Sequence, residues 1–246
     1  MSDIHCCGGE KGGVGKSTVC KVILQYLIDN NISFVGFDTD RSASDLKKAY
    51  DRPGLDICSA IFSEAAEHEN AAKEIFNTAL EKTVLVNLAA SSFEPVSSWI
   101  RNNELLEISK EEGIKFYLWF VTDGSVESVG ALYKSLQVFG KDIAHVLVKN
   151  TGRNPSGDWR LIDEDLKLKG LMKTCKVKEL VFPKFYGEEE FKIIRDNSLG
   201  FREALDSKDL GFGPIERQRI RRFLRESYEA LESMNILNKL LKAETA

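Results

Sequence analysis

The run Glu10-Lys11-Gly12-Gly13-Val14-Gly15-Lys16-Ser17-Thr18 gathers residue types suited to one task, holding a chain of phosphates. Glycines let a backbone turn its N–H groups inward and approach phosphate oxygens more closely than a Cβ permits. A helix beginning near Gly15 would add its positive end. Lys16 supplies a point charge to the β- and γ-phosphates, and the Ser17 hydroxyl is a ligand for Mg²⁺. The strict pattern GxxxxGK[ST] is not met: Glu10 stands where its first glycine belongs, and Lys11 is an extra cation. The plainer alternative is a glycine-rich strand-to-helix turn that happens to carry lysines. Three glycines, two lysines and a Ser-Thr pair in this order argue against it.

A second cluster, Phe34-Val35-Gly36-Phe37-Asp38-Thr39-Asp40, ends a hydrophobic run on two acids. Such chemistry needs a frame. Short β-rich runs alternate with longer amphipathic stretches, which predicts a doubly wound, mostly parallel sheet flanked by helices. Strands are expected at Ile4–Gly8, Ser33–Asp38, Thr83–Leu88, Lys115–Thr122, Ala144–Lys149 and Glu179–Phe182, and helices at 16–29, 70–81, 97–112, 126–139 and 215–242. Runs such as VLVNL and YLWFV are apolar on both faces, as buried parallel strands are. Ligands of such sheets collect at the carboxyl ends of the strands, so Asp38 and Asp40 would face the crevice of the glycine loop. An ordinary strand-end turn with a helix-capping Asp is the competing reading. GRNPSGD at 152–158 reads as a loop, opening a polar stretch to Lys178 that looks like an insertion beside the sheet.

The chain has 246 residues, 43% hydrophobic and 29% charged, enough for one substantial core and not the composition of a disordered or fibrous protein. No linker divides it, so a single domain over 1–246 is expected. A formal net charge of −4 argues against a whole-surface nucleic-acid binder. Five scattered cysteines with no CxxC pair suggest neither a disulfide framework nor a zinc site. The absence of a signal-like start and of a long apolar run leads to the expectation of a cytoplasmic protein.

The KGGVGKST run resembles the deviant phosphate loop of the ParA/MinD group of ATPases, P-loop NTPases that bind ATP with Mg²⁺. That resemblance gives Gly12, Gly13, Val14, Gly15, Lys16, Ser17 and Thr18 a nucleotide-binding role. It implies that Lys11 reaches the phosphates of a partner molecule in an ATP-dependent homodimer, that Asp40 orients the attacking water, and that Asp38 sits near the Mg²⁺ shell alongside Ser17. Asn150 resembles the Asn that bonds the adenine edge, and Pro183 a second loop flanking the base; both are also common turn residues at strand ends. The strand Thr83-Val84-Leu85-Val86-Asn87 departs from the group, which usually has Asp at its Walker B end. Asn87 can still hydrogen-bond a metal-bound water but brings no charge, so turnover is expected to be weak. The stretches AASSFEP at 89–95 and WFVTDG at 119–124 resemble the plasmid-stability and conjugal-transfer (StbB/TraL-type) members. The expected function is a slow ATPase switch in DNA partition, plasmid stability or conjugal transfer, with a DNA-bound adaptor as partner. A MinD-like membrane-cycling ATPase is the alternative. Nitrogenase iron-protein relatives share the loop, but no cysteine here follows the third or fourth strand to hold a cluster.

His5, His68 and His145 are too scattered to ligate a metal, and Cys6, Cys7 and Cys20 read as small core residues. The terminal helix admits three readings. Arg217, Arg219, Arg221, Arg222 and Arg225 form a non-specific DNA patch; Ile236–Lys242 lies on a membrane surface; or the helix packs on the sheet and exposes its arginines.

Overall fold

A computed structural model describes residues 3–40, 43–62 and 72–240. Seven strands form one parallel sheet: β1 (Asp3–Gly8), β2 (Phe34–Asp38), β3 (Ile57–Ser59), β4 (Thr83–Asn87), β5 (Lys115–Thr122), β6 (Ala144–Asn150) and β7 (Lys178–Phe182). Their spatial order is β3-β2-β4-β1-β5-β6-β7, and every neighbouring pair is parallel. The helices are α1 (Lys16–Asp29), α2 (Asp45–Tyr50), α3 (Lys73–Ala79), α4 (Phe93–Asn102), α5 (Leu105–Glu111), α6 (Val126–Phe139), α7 (Arg160–Asp163), α8 (Leu166–Cys175), α9 (Glu188–Asp196), α10 (Phe201–Asp206) and α11 (Pro214–Ser233).

Because strand side chains alternate, the apolar strands feed two cores at once. Cys7, Leu85, Trp119, Val121, Val146 and Val148 face α1, α2, α10 and α11. Ile4, Val84, Val86, Phe116, Leu118 and Leu147 face α3, α4, α6 and α8. The chain winds from β1 towards β2 on one side, then crosses β1 to reach β5 on the other. β1 therefore stands at the topological switch point, where open α/β sheets bind ligands.

Differences from the sequence-based expectations are local. The helix expected at 97–112 is two, α4 and α5, because Glu104 adopts a left-handed conformation with φ 50°. The helix expected at 70–81 is α3 at Lys73–Ala79, and its first two residues lie outside the described residues. The terminal helix begins with Pro214 at its first turn and stops at Ser233, where Asn235 turns left-handed; Leu241 and Lys242 lie outside the described residues. The stretch 152–178 is a crossover and not an insertion: α8 buries Leu168, Met172 and Cys175 on the way from β6 to β7. Its Asp165 caps α8 by accepting hydrogen bonds from Lys167 N and Leu168 N.

Candidate functional site

The loop after β1 shows why its glycines are needed. Gly13 and Gly15 have φ of 77° and 97°, where a side chain is strained. A Cβ on Gly15 would also collide with the Asn150 amide nitrogen. Gly15 is the residue before the first turn of α1 and makes no side-chain cap, so the first N–H groups of that helix are left for another acceptor. Lys16 is buried, and its ammonium folds back to donate to the Lys11 carbonyl at 2.9 Å. Burial lowers its pKa, while Glu10 and Asp40 pull the other way. Glu10 ties the loop to its neighbour: its carboxylate accepts from Phe93 N at 2.8 Å at the start of α4.

Lys11 does not point at this crevice. Its ammonium donates to Asp123 Oδ2 at 2.6 Å, which raises its pKa, and to Ser125 Oγ at 3.0 Å. Burial alone would raise the pKa of Asp123, but hydrogen bonds from Lys11, Ser125 and Ser128 hold it well below the ordinary carboxylate range. Asp123 directly follows β5, whereas Asp38 is the last residue of β2, so an acid at a strand's carboxyl end marks both. In β5 the acid stands one residue beyond the strand and prepares the Ser125 cap of α6.

The two acids after β2 separate. Asp40 lines the crevice together with Lys16, Ser17 and Thr18. Its carboxylate accepts from Ala43 N at 3.1 Å. Asp38 is buried and fully engaged. Its Oδ2 accepts from Leu46 N and Lys47 N at 2.9 and 3.0 Å, capping α2; its Oδ1 accepts from Asp40 N at 3.3 Å and from Asn87 Nδ2 at 3.1 Å. The capping alternative thus describes the contacts of Asp38. Thr39 pins the same two strand ends by donating to the Asn87 carbonyl and accepting from Ala89 N. Asn87 Oδ1 remains buried without a hydrogen-bond partner.

Asn150 is also buried. Its Nδ2 donates to the Val14 carbonyl at 2.7 Å and its Oδ1 accepts from Gly152 N at 3.0 Å, so the amide holds the glycine loop from the far side. Together with Pro183, Lys184, Phe185, Phe191 and Thr18 it lines a second recess of about 320 Å³. The phosphate-side recess, about 280 Å³, is lined by the glycine loop, Lys21, Asp40, Asp45, Arg153 and Arg195. Lys21, absent from the sequence-based set, lies one turn after Ser17 on the same face of α1, a spacing legible in the sequence.

Among the described residues no group of three or more His, Cys, Asp or Glu could hold a metal. A magnesium ion here would rest on the Ser17 hydroxyl and on phosphate oxygens. The orphaned Asn87 Oδ1 is an acceptor for a metal-bound water, so the residues present fit such an ion. His5, His145, Cys6, Cys7 and Cys20 are core groups: all five are buried, and burial pushes the Cys6 thiol up to about 12. His68 lies outside the described residues.

The arginines of α11 are mostly spoken for. Arg217 donates to the carbonyls of Leu205, Ser207 and Phe212; Arg219 pairs with Glu190; Arg222 and Arg225 pair with Glu226 and Glu229 one turn on. Ile236, Leu237 and Leu240 are buried in the core shared with α1, so the apolar tail of this segment is packed on the body of the protein. No helix among the described residues is long and apolar enough to cross a membrane.

No protein-family profile matches the chain. Among curated proteins it is similar to Protein TraL of Escherichia coli, 24% identical over 245 residues that span 96% of this chain and 100% of that one. Among solved structures it is similar to a nucleotide-binding protein of Archaeoglobus fulgidus in complex with ADP (TM-score 0.54, 12% identity, 81% of this chain and 88% of that one). It is likewise similar to the MinC:MinD cell division complex of Aquifex aeolicus (TM-score 0.52, 13% identity, 92% and 97%). The cell division ATPase MinD of Pyrococcus furiosus superposes with TM-score 0.52 at 15% identity, over 93% and 99% of the two chains. The seven-stranded parallel sheet and the glycine loop at its switch point therefore give this chain the P-loop fold of MinD-type ATPases, and its full-length resemblance runs to TraL.

Proposed function

We propose that the protein binds ATP with its phosphates on the loop 10–18 and its base towards Asn150 and Pro183, and that it works as a slowly hydrolysing, ATP-dependent homodimeric switch. The observation that carries this reading is the loop itself. Left-handed glycines, an uncapped helix start and a buried lysine converge at the sheet's switch point. Bound magnesium would supply charge neutralisation to the phosphates. Lys16 binds the β- and γ-phosphates in place of the Lys11 carbonyl, and Asp40 stands on the crevice wall to orient a water. Lys11, released from Asp123, offers its charge to the phosphates of a second molecule. Hydrolysis is slow because no carboxylate ends β4: Asn87 takes that position.

Full-length similarity to TraL supports a role in conjugal transfer or plasmid maintenance with a DNA-bound adaptor as partner. Arg217 is held by three carbonyls and Arg219 by the buried Glu190, which leaves Arg221, Arg222 and Arg225 as the residues through which that helix would touch DNA; the buried Ile236, Leu237 and Leu240 weigh against a membrane-cycling role. Calorimetry with ATP and Mg²⁺ tests the proposal. Lys16→Ala should weaken binding at least about a hundredfold, the scale of a charge-assisted phosphate contact in a partly desolvated site. Equal affinity in the variant would overturn the loop assignment.

A further inference from the structure

The two recesses of the crevice share four residues: Thr18, Arg153, Phe191 and Arg195. A ligand with phosphates at one end and a ring at the other must cross this waist. Thr18 lines it from the first turn of α1. Arg153 comes from the loop after β6 and lies over the glycine loop, its Cγ 3.8 Å from where a Cβ of Gly15 would be. Arg195 comes from the last turn of α9, with Phe191 one turn before it on the same face. Arg153 makes no ion pair among the described residues, and Arg195 pairs only with its exposed neighbour Asp196. Both guanidinium groups are exposed, so each can turn to an anion without breaking buried structure.

We propose that Arg153 and Arg195 form a cationic clasp on the α-phosphate of a nucleotide, the segment between its nucleoside and its terminal phosphates. This deepens the nucleotide-binding reading and rests on it. Lys16 sits on the phosphate-side wall alone, so it acts on the β- and γ-groups; the arginines act on the part that AMP, ADP and ATP have in common. A guanidinium presents a planar fork of donors that matches phosphate oxygens, and two forks lining one waist can be brought to the same phosphate. The clasp is made of elements far apart in sequence, β6–α7 and α9, so closing it would draw α9 onto the glycine loop.

The test is equilibrium binding of ATP, ADP, AMP and adenosine to the wild type and to Arg153→Gln, Arg195→Gln and the double variant. The single variants should weaken ATP, ADP and AMP alike by roughly tenfold, the double by more, with adenosine unaffected. The slope of log affinity against log salt should fall in step. Arg153→Lys should recover part of the loss, since it keeps the charge but not the fork. ADP affinity unchanged in the double variant would overturn the clasp while leaving the nucleotide site intact. A wild type indifferent to every nucleotide would instead overturn the reading on which the clasp rests.

Discussion

Replacing Asn87 by Asp would restore the acid that P-loop ATPases of the resembled group usually carry, and the structure says what that costs here. Asn87 and Asp38 are both nearly inaccessible, 1% and 4% exposed, and the Asn87 amide donates to Asp38 Oδ1 at 3.1 Å. The substitution removes a donor and sets a second carboxylate against the first. Two unit charges at that separation repel by about 5 kcal/mol at an effective dielectric of 20, a ceiling because the pair can take up a shared proton. Adding the lost hydrogen bond of about 1 kcal/mol, Asn87→Asp should destabilise the nucleotide-free protein by roughly 3 to 4 kcal/mol at pH 8. For a chain of this size that lowers Tm by about 6 to 16 °C.

The pH dependence has a definite sign. The introduced carboxyl titrates near 4 in the unfolded chain and higher in the folded pair. Below pH 4 it is protonated in both states and the penalty is absent. As pH rises through the folded pKa the penalty grows, then levels off. Thermal melts of both proteins from pH 4.5 to 8.5 in EDTA should therefore diverge with rising pH, and MgADP should narrow the gap in the variant. Parallel curves at every pH would refute the contact between these side chains. Asn87→Leu keeps the volume without a charge, so it separates repulsion from the loss of the amide.

Two further expectations follow from buried and latched groups. Asp123→Ala frees the Lys11 ammonium, so ATP-dependent dimers should form at lower ATP in light scattering, whereas Lys11→Ala should abolish them; an unshifted midpoint for Asp123→Ala would mean the pair does not restrain Lys11. Burial lowers the pKa of His5 to about 3 and of His145 to about 4. The unfolded chain takes up protons below about pH 6.5 that the folded chain refuses, so stability should fall by roughly 2 kcal/mol per histidine between pH 6.5 and 5. Urea titrations of the wild type and of His145→Gln should show about half of that slope removed; identical slopes would contradict the burial of His145.

The strands that carry the site were legible because they are buried on both faces and read as continuous apolar runs bounded by turn residues; β5 and helices α1 and α6 have the bounds the pattern predicts. β3 was not, since three edge residues with Cys58 and Ser59 exposed carry no apolar periodicity. The break between α4 and α5 was hidden because Glu104 in a left-handed conformation has no signal comparable to glycine. In the site, the conformation of the loop from Gly12 to Thr18, set by local backbone chemistry, was legible in residue order alone. The contacts of Asp38, Asn150 and Lys11 were not, because their partners, the N–H groups of α2, the Val14 carbonyl and Asp123, lie between 8 and 136 residues away.

Those distant partners also join the two ends of the crevice by hydrogen bonds. Asn150 sits at the ring end, yet its amide donates into the phosphate loop at Val14, and Gly15 leaves it room by lacking a Cβ. A base that drew the Asn150 amide towards itself would loosen the loop at the residue before the helix start. A phosphate that seated on the loop would pull the Val14 carbonyl and, through it, the base-side strand β6. Glu10 extends the same linkage in the other direction, since its carboxylate caps α4 at Phe93 while its carbonyl accepts from Ser91 N. The glycine loop is thereby tied by hydrogen bonds to α4 on one face of the sheet and to β6, one strand in from the β7 edge. The switch proposed above would need that property: a small ligand held at one loop must be felt by elements that other molecules can touch.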